Sequence, residues 1–315
     1  MNGLSENVLS GARGLRCLVV GDAMLDRYWV GDVDRISPEA PVPVISVKSS
    51  KECAGGAGNV AANIASLGSA CELISFIGDD DAGKRLSAIL SKAGVGAHLH
   101  IDGDGRTTEK LRVVSRNQQL LRIDFESRPG PDLIRQSVSD FESLSIETDV
   151  IVISDYGKGG LGHISEMVKI AQRLNTPVIV DPKGQDFSRY GGATVVTPNA
   201  QEFETVTGVS THDDRFKSAA LSLVQDVGVT ALLVTQGAEG MSLFLNDGTM
   251  LHQAAAAVEV FDVSGAGDTV VALLAVGLGL DLAWSDCIQL ATYGASAVVT
   301  RFGTSVIRRE DLTGL

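Results

Sequence analysis

Residues 150–181 read VIVISDYGKGGLGHISEMVKIAQRLNTPVIVD. Two short apolar runs rich in β-branched residues, 150–154 and 178–181, flank a stretch of helical pattern at 164–174. An apolar strand, a helix and a second apolar strand in this order are typical of a parallel sheet that is covered on both faces. The stretch therefore predicts a strand–helix–strand unit, and in such folds ligands sit at the carboxyl ends of the strands.

The same alternation extends through most of the chain. Further strands are predicted at 16–21, 72–77, 194–197 and 231–235. Further helices are predicted at 59–67, 83–92, 133–144, 215–227, 268–280 and 285–299. Since no linker stands out, we expect one domain over residues 1–315, an α/β/α sandwich with a mostly parallel central sheet.

Two segments interrupt this alternation, at about 28–48 and 99–125. In LLRIDF, apolar residues alternate with Arg122 and Asp124, and this period of two indicates strands with one wet face. Upstream, the residues that share one face are Thr108, Lys110 and Arg112. We expect a small second sheet, which would be a lid over the site, a dimer interface or a plain structural hairpin.

The formal net charge of −13 argues against binding to nucleic acid or to anionic membranes. The four cysteines form no CxxC pair, which favours reduced thiols. The longest apolar run, 270–280, is too short to span a bilayer, and the N-terminus lacks the apolar stretch of a signal peptide. These features predict a cytoplasmic protein with small-molecule ligands.

The chemical centre of the sequence is DVSGAGD, residues 262–268. A glycine-rich turn before a helix lets backbone N–H groups converge where the helix adds positive partial charge. Gly265, Ala266 and Gly267 would thus form an anion hole for a transferring phosphoryl group. Asp268 would accept the proton of an attacking hydroxyl. An aspartate cap on a tight glycine turn is the alternative.

Two further groups of residues suit a polyhydroxylated ligand. In CAGGAGNVAANIASLG, residues 53–68, Gly56 permits close backbone approach, and Asn59 and Asn63 share one helix face. Packing of small residues between helices is the alternative. Asp22 and Asp26 follow the first strand and could hold sugar hydroxyls.

The turns after two later strands suit a nucleotide. Asn199 and Glu202 offer hard oxygen ligands for Mg²⁺, although N-x-x-E also spells a helix capping box. The predicted nucleotide-side residues are Asn199, Glu202, Thr235, Gly237, Gly240 and Asp262.

These motifs in this order resemble the ribokinase-like, or PfkB, family of carbohydrate kinases. GGAGNVAANIASLG is similar to its first signature and DVSGAGDTV to its second, with NAQE and TQGAEG between them. The resemblance covers almost the whole chain and implies a ribokinase-like fold, ATP and Mg²⁺ as cofactors, and a β-sheet lid that often mediates homodimerisation. It also implies that Asp268 is the base and that Asn199 and Glu202 lie on the Mg²⁺ side. Val263 and Val270 replace the Thr and Phe of many members, which we interpret as marks of a subfamily.

Within that family, segments 21–44, 107–126, 154–161 and 180–184 resemble the heptose 7-phosphate kinases. This implies ATP-dependent phosphorylation of the anomeric hydroxyl of D-glycero-β-D-manno-heptose 7-phosphate to the 1,7-bisphosphate, for lipopolysaccharide core synthesis. In many bacteria a nucleotidyltransferase domain follows, and because this sequence stops at Leu315 we expect that activity to be absent.

A sugar phosphate needs fixed cations, and each cation near the strand ends is either such a contact or a surface charge. For Arg122, pairing with Asp124 is a further alternative. The predicted substrate contacts are Asp22, Asp26, Gly56, Asn59, Asn63, Lys110, Arg112, Arg122, Asp155, Lys158 and Lys183. The competing functions are another PfkB-type kinase, a non-catalytic ligand-binding protein on the same fold and, more distantly, a Rossmann oxidoreductase.

Overall fold

The protein is described here by a computed structural model that covers residues 2–116 and 118–314. The strands are β1 (Arg16–Gly21), β2 (Ala23–Ile36), β3 (Pro43–Gly56), β4 (Ala70–Gly78), β5 (Gly96–Asp102), β6 (Glu109–Ser115), β7 (Gln118–Phe125), β8 (Val150–Ser154), β9 (Val178–Asp181), β10 (Val195–Val196), β11 (Ala231–Thr235), β12 (Met241–Leu245) and β13 (Met250–Gln253). The helices are α1 (Asn2–Gly11), α2 (Ala57–Ser66), α3 (Asp81–Lys92), α4 (Pro131–Ser145), α5 (Ile164–Leu174), α6 (Ala200–Thr207), α7 (Phe216–Val227), α8 (Ala266–Gly279) and α9 (Trp284–Val298).

The main sheet has nine strands in the order β13-β12-β11-β10-β9-β8-β1-β4-β5. The parallel part of this sheet consists of β11, β10, β9, β8, β1, β4 and β5. Strands β12 and β13 extend one edge as antiparallel strands. Helices α1, α2, α3, α8 and α9 cover one face, and α4 to α7 cover the other. All five residues of β8 are buried because apolar side chains pack against both of its faces. The predicted three-layer α/β/α architecture is confirmed.

Parallel pairing brings the carboxyl ends of the central strands to one edge of the sheet. Five polar residues end these strands or follow them within three positions: Asp22, Asp155, Asp181, Asn199 and Thr235. Residues that are far apart in sequence therefore meet along this edge, as the strand–helix–strand pattern predicts.

A second sheet lies beside this edge, with its four strands in the order β3-β2-β6-β7. Strand β2 follows directly from the end of β1, which anchors the second sheet near the ligand edge. In its register Tyr28, Arg112 and Arg122 are neighbours, as are Asp26 and Lys110, so these five side chains share one face. We refer to this sheet as the lid.

The predicted start of the second lid segment is wrong. Residues 96–102 form β5, which pairs in parallel with β4 at the edge of the main sheet, so the lid segment begins with β6 at Glu109. A period of two reports only that a strand has one wet face, and this is equally true of an edge strand in the main sheet. Among the helices of the described residues, none is long and apolar enough to cross a membrane.

Candidate active site

The glycine-rich loop leads directly into α8. Gly265 has a left-handed backbone (φ 78°), and a Cβ atom there would lie 2.7 Å from the amide nitrogen of Asn59. Both constraints require glycine at this position. A Cβ atom at Gly267 would meet nothing within 4 Å, so the first turn of α8 faces open space. The free N–H groups of this turn and the helix dipole make the open space favourable for an anion.

Asp268 stands in this first turn and is only 4% exposed. Its Oδ2 accepts a hydrogen bond of 2.7 Å from the Asn59 amide, and its Oδ1 accepts one from the Tyr156 hydroxyl. Burial raises the pKa of Asp268 to about 6, while these two hydrogen bonds act to lower it. Asp268 is therefore mostly ionised at neutral pH yet more basic than an exposed carboxylate, as a general base requires.

Asn63 links α2 to α8 and to the C-terminal segment through hydrogen bonds. Its amide nitrogen donates to the main-chain oxygen of Asn59 at 2.8 Å, and its side-chain oxygen accepts from the main chain of Ile307 at 2.9 Å and from Thr269 at 3.3 Å. Since the side chain is fully buried and its polar atoms have protein partners, it supports Asn59 and α8. A contact between Asn63 and the sugar stays a prediction.

Gly56 makes the turn from β3 into α2. Its φ of 55° and the carbonyl oxygen of Asp22, 2.5 Å from where a Cβ atom would lie, both demand glycine. The turn delivers Asn59 to Asp268, so the requirement for Gly56 in this structure comes from backbone packing.

The carboxylates of Asp22 and Asp26, which were predicted to hold sugar hydroxyls, both have partners within the protein, and their contact with a sugar stays a prediction. Asp22 accepts the main-chain N–H groups of Tyr156 and Lys158, both at 3.0 Å, and burial raises its pKa. Asp26 accepts from Arg112 at 2.7 Å and from the Thr304 hydroxyl at 2.8 Å. Both are buried, and they fix the loop after β8 and the base of the lid.

Asp155 is likewise engaged by the protein. It accepts from the Tyr190 hydroxyl at 2.8 Å and from the main chain of Gly157 at 2.9 Å. It therefore shapes the loop that follows β8, and its contact with the substrate stays a prediction.

A cavity of about 170 Å³ joins the glycine-rich loop to the nucleotide-side turns. The residues that line it include Tyr156, Asp181, Lys183, Glu202, Thr235 and Gly267. Burial raises the pKa of Asp181 well above its usual range, and the carboxylates of Asp268 and Glu202 act in the same direction. The cavity thus brings together predicted residues from three separate motifs.

The capping box at Asn199 and Glu202 is present, and the metal role of these two residues stays a prediction. The Asn199 side chain accepts from the Glu202 N–H at 2.9 Å, and Glu202 Oε2 accepts from the Asn199 N–H at 3.1 Å. Glu202 Oε1 is 2.7 Å from Lys183 Nζ. Lys183 consequently lines the cavity beside Glu202, and its contact with the distal phosphate stays a prediction. Within the described part of the chain, no group of three acidic, histidine or cysteine side chains is placed to bind a metal ion.

Two other predicted nucleotide residues hold loops. At Gly240 (φ 94°) a Cβ atom would lie 2.0 Å from a carbonyl oxygen of β13, so the turn that includes Gly237 depends on this glycine. Asp262 accepts from the main chain of Ser264 at 2.8 Å and of Gly303 at 3.0 Å. It ties the glycine-rich loop to the C-terminal segment, and its contact with the nucleotide stays a prediction.

Four of the five predicted phosphate-binding cations have carboxylate partners. The pairs are Arg112 with Asp26, Arg122 with Asp124, Lys158 with Glu126, and Lys183 with Glu202. Lys110 differs, because over the residues that the structure describes it forms no ion pair. It is half-buried, its ammonium lies 5.4 Å from the centre of the Tyr156 ring, and burial lowers its pKa.

Three residues of the site were missed from the sequence. Tyr156 and Asp181 stand at the ends of β8 and β9, and the rule that ligands gather at strand ends could have found them. Thr304 reaches Asp26 and packs near Gly265 from the C-terminal segment, and no local pattern marks that contact.

Comparisons with known proteins identify the family. A family model described as pfkB family carbohydrate kinase matches residues 15–310. A Methylococcus capsulatus protein named bifunctional protein HldE is 46% identical over 302 residues, which are 94% of this chain and 63% of that protein. A Bordetella bronchiseptica protein named D-beta-D-heptose 7-phosphate kinase is 45% identical over 299 residues, 95% of each chain. The chain spans 62–64% of the length of three bifunctional relatives.

Solved structures share the fold at lower identity. Phosphofructokinase-2 from Escherichia coli, in complex with potassium, has a TM-score of 0.81 at 20% identity and covers 95% of this chain and 97% of its own. Ribokinase from Arabidopsis thaliana, complexed with ribose and ATP, has a TM-score of 0.76 at 22% identity, covering 95% and 98%. With a ribokinase-like fold, a buried aspartate at a glycine-rich helix start and a family match over nearly its whole length, the chain belongs to the pfkB family of carbohydrate kinases.

Proposed function

We propose that this chain transfers the γ-phosphate of ATP to the anomeric hydroxyl of D-glycero-β-D-manno-heptose 7-phosphate, forming the 1,7-bisphosphate for lipopolysaccharide core synthesis. The observation that carries the reaction type is Asp268, a buried carboxylate with a raised pKa in the first turn of α8. The relative from Bordetella bronchiseptica, 45% identical over 95% of both chains, supports the choice of heptose 7-phosphate.

The residues of the site account for the chemistry. ATP would occupy the cavity near Thr235 and Glu202, with its γ-phosphate at the N–H groups of Gly267 and its neighbours. The sugar would lie between the lid and Asp268, which takes the proton from the attacking hydroxyl. The helix start then stabilises the charge that develops on the transferring phosphoryl group.

We propose Mg²⁺ as the companion of ATP. Kinase sites commonly hold this ion through phosphate oxygens, waters and few carboxylates, and it neutralises charge on the phosphates. Glu202 lines the cavity, but Lys183 and the helix cap already engage its oxygens. It therefore fits an outer position that orders water around a phosphate-bound ion, with Asn199 holding its conformation.

A homodimer formed through the lid fits the outer surface of that sheet. Trp29, Leu121 and Ile123 lie on the face opposite Tyr28 and Arg112, and they are 37%, 54% and 37% exposed. Exposed apolar side chains gathered on one face favour contact with another protein surface. We also propose that the chain acts as one kinase domain in the cytoplasm, where ATP and sugar phosphates are available.

An ADP-release assay across acceptors tests the proposal. We expect turnover with heptose 7-phosphate to exceed that with unphosphorylated heptose, ribose, fructose 6-phosphate and nucleosides by a wide margin in kcat/KM. Preference for another acceptor would identify a different kinase of the family. Absence of ATP turnover with every sugar would instead favour a non-catalytic ligand-binding protein.

A further inference from the structure

Tyr156 contacts the proposed base directly. It follows Asp155 at the end of β8, half-buried, and its hydroxyl donates to Asp268 Oδ1. Its main-chain N–H donates to Asp22 at 3.0 Å, which fixes the loop that carries the ring. Lys110 lies over the same ring, 5.4 Å from its centre. The ring is thus held between the lid and the start of α8.

The charges that face Asp268 come from several elements. Lys110 from β6 and the hydrogen bonds of Asn59 and Tyr156 favour its ionised form. Asp26 from β2 and Asp181 from β9 repel that charge, and burial opposes it most strongly. Tyr156 itself remains protonated at working pH, because burial raises its pKa well above the usual range. It can therefore act as a donor to the carboxylate and cannot serve as the base.

We propose that Tyr156 is a positioning residue that keeps Asp268 ionised and oriented toward the acceptor hydroxyl. This inference rests on the proposed function, because it assigns a role within the same site. In the transfer step the acceptor O–H bond breaks, its proton passes to Asp268, an O–P bond forms to the γ-phosphorus, and the bond from that phosphorus to ADP breaks. Tyr156 keeps its own proton throughout.

The test is the pH dependence of kcat/KM for the Tyr156→Phe variant. Removing the hydroxyl removes an interaction that stabilises the charged carboxylate, so the pKa of Asp268 rises and the acidic limb moves to higher pH. A hydrogen bond to a charged group corresponds to a shift of about one pH unit. At pH values below the acidic limb, kcat/KM should be roughly tenfold lower than in the wild type. At pH values well above the limb, it should approach the wild-type value.

A second variant should shift the acidic limb of the pH profile in the opposite direction. Replacing Tyr156 with 3-fluorotyrosine by codon suppression keeps the shape and makes the hydroxyl a stronger donor, so the limb should move to lower pH. Tyr190→Phe is the matched control, since Tyr190 donates to Asp155 and makes no bond to Asp268. In that variant the limb should stay at the wild-type pH.

A titration of ¹³C-labelled aspartate carboxyls by NMR provides a readout without turnover. The signal of Asp268, assigned by its loss in Asp268→Asn, should titrate at higher pH in Tyr156→Phe. An unmoved titration, or a loss of rate by the same factor at every pH, would overturn the role of Tyr156. A wild-type chain that phosphorylates no sugar overturns the proposed function instead, and the titration then decides the role of Tyr156 by itself.

Discussion

At Asp268, the proposed base, the burial that raises the pKa also lowers the stability of the protein. The folded-state pKa is about 6, compared with an ordinary value of 3.8. Between those pH values the folded state binds more protons than the unfolded state, so the free energy of unfolding falls as pH rises through this window. A difference of about two units corresponds to about 3 kcal/mol at neutral pH.

The variant Asp268→Asn should therefore lose activity and gain stability. We expect kcat to fall at least ~10²-fold because the general base is lost. An asparagine can still accept from Asn59 and donate to the Tyr156 oxygen, so the fold is retained and melting at pH 7.5 should occur at higher temperature than in the wild type. The gain should vanish toward pH 4. Near-normal turnover by the folded variant would contradict the assignment of the base.

Lys110 is the residue that should distinguish a phosphorylated sugar from a neutral one. Replacing it with methionine keeps much of its length and removes the charge, so KM for heptose 7-phosphate should rise by roughly 10- to 100-fold. The KM for unphosphorylated heptose should stay nearly constant. Steady-state kinetics with both sugars measures this.

Arg122→Met is the matched control for Lys110→Met. Arg122 lies on the same lid face but is 50% exposed and forms a bidentate pair with Asp124. Its removal should change KM only slightly. Equal losses for both sugars in Lys110→Met would contradict a contact with the distal phosphate.

At the scale of elements, α2 and α8 form the frame that holds the base. Both helices are buried along most of their length, and small residues let them pack closely. The packing of small residues between helices, considered from the sequence as an alternative to sugar binding, is thus present alongside the contact from Asn59 to Asp268.

Asn63→Ala should weaken this frame. The substitution leaves the buried main-chain N–H of Ile307 and the side-chain oxygen of Asn59 without their partner, which costs about 3 kcal/mol of unfolding free energy. Urea unfolding measures the change. Ser66→Ala, on the same helix, removes one partly buried hydrogen bond and should cost about 1 kcal/mol. Similar midpoints for the two variants would contradict the role of Asn63.

At the scale of the whole molecule, the lid presents two different faces. Its inner face carries Lys110 and Arg112, while its outer face leaves Trp29, Leu121 and Ile123 exposed. In the proposed dimer the inner face would cover the site and the outer face would contact a second copy of the chain. Two copies of a chain with a net charge of −13 repel each other through their other surfaces. An apolar contact surface is therefore the more selective place for the two copies to meet.

Leu121→Asp should convert the proposed dimer to a monomer, since it introduces a charge on the exposed apolar face. Sedimentation velocity at micromolar protein measures the mass. Ile146→Asp is the control, because Ile146 is 70% exposed at the end of α4, outside the lid strands. A dimeric Leu121→Asp variant, or a monomeric wild type, would show that the lid is not the interface.

The sequence by itself determined the layered fold and the chemical centre. Apolar strands, helical spacing and the DVSGAGD turn are local patterns, and parallel pairing then gathers the strand ends. A period of two could not decide whether residues 96–102 join the lid or the main sheet, since both environments leave one strand face wet.

Only the tertiary structure decided which polar groups are engaged and which are available. Tyr156 meets Asp268 across 112 positions, and Asp26 meets Thr304 across 278. Each segment of the sequence shows which carboxylates and cations it carries, but the partners of these groups come from distant segments. Charge neutralisation in the folded chain therefore left Lys110, of five candidate cations, without a carboxylate among the described residues.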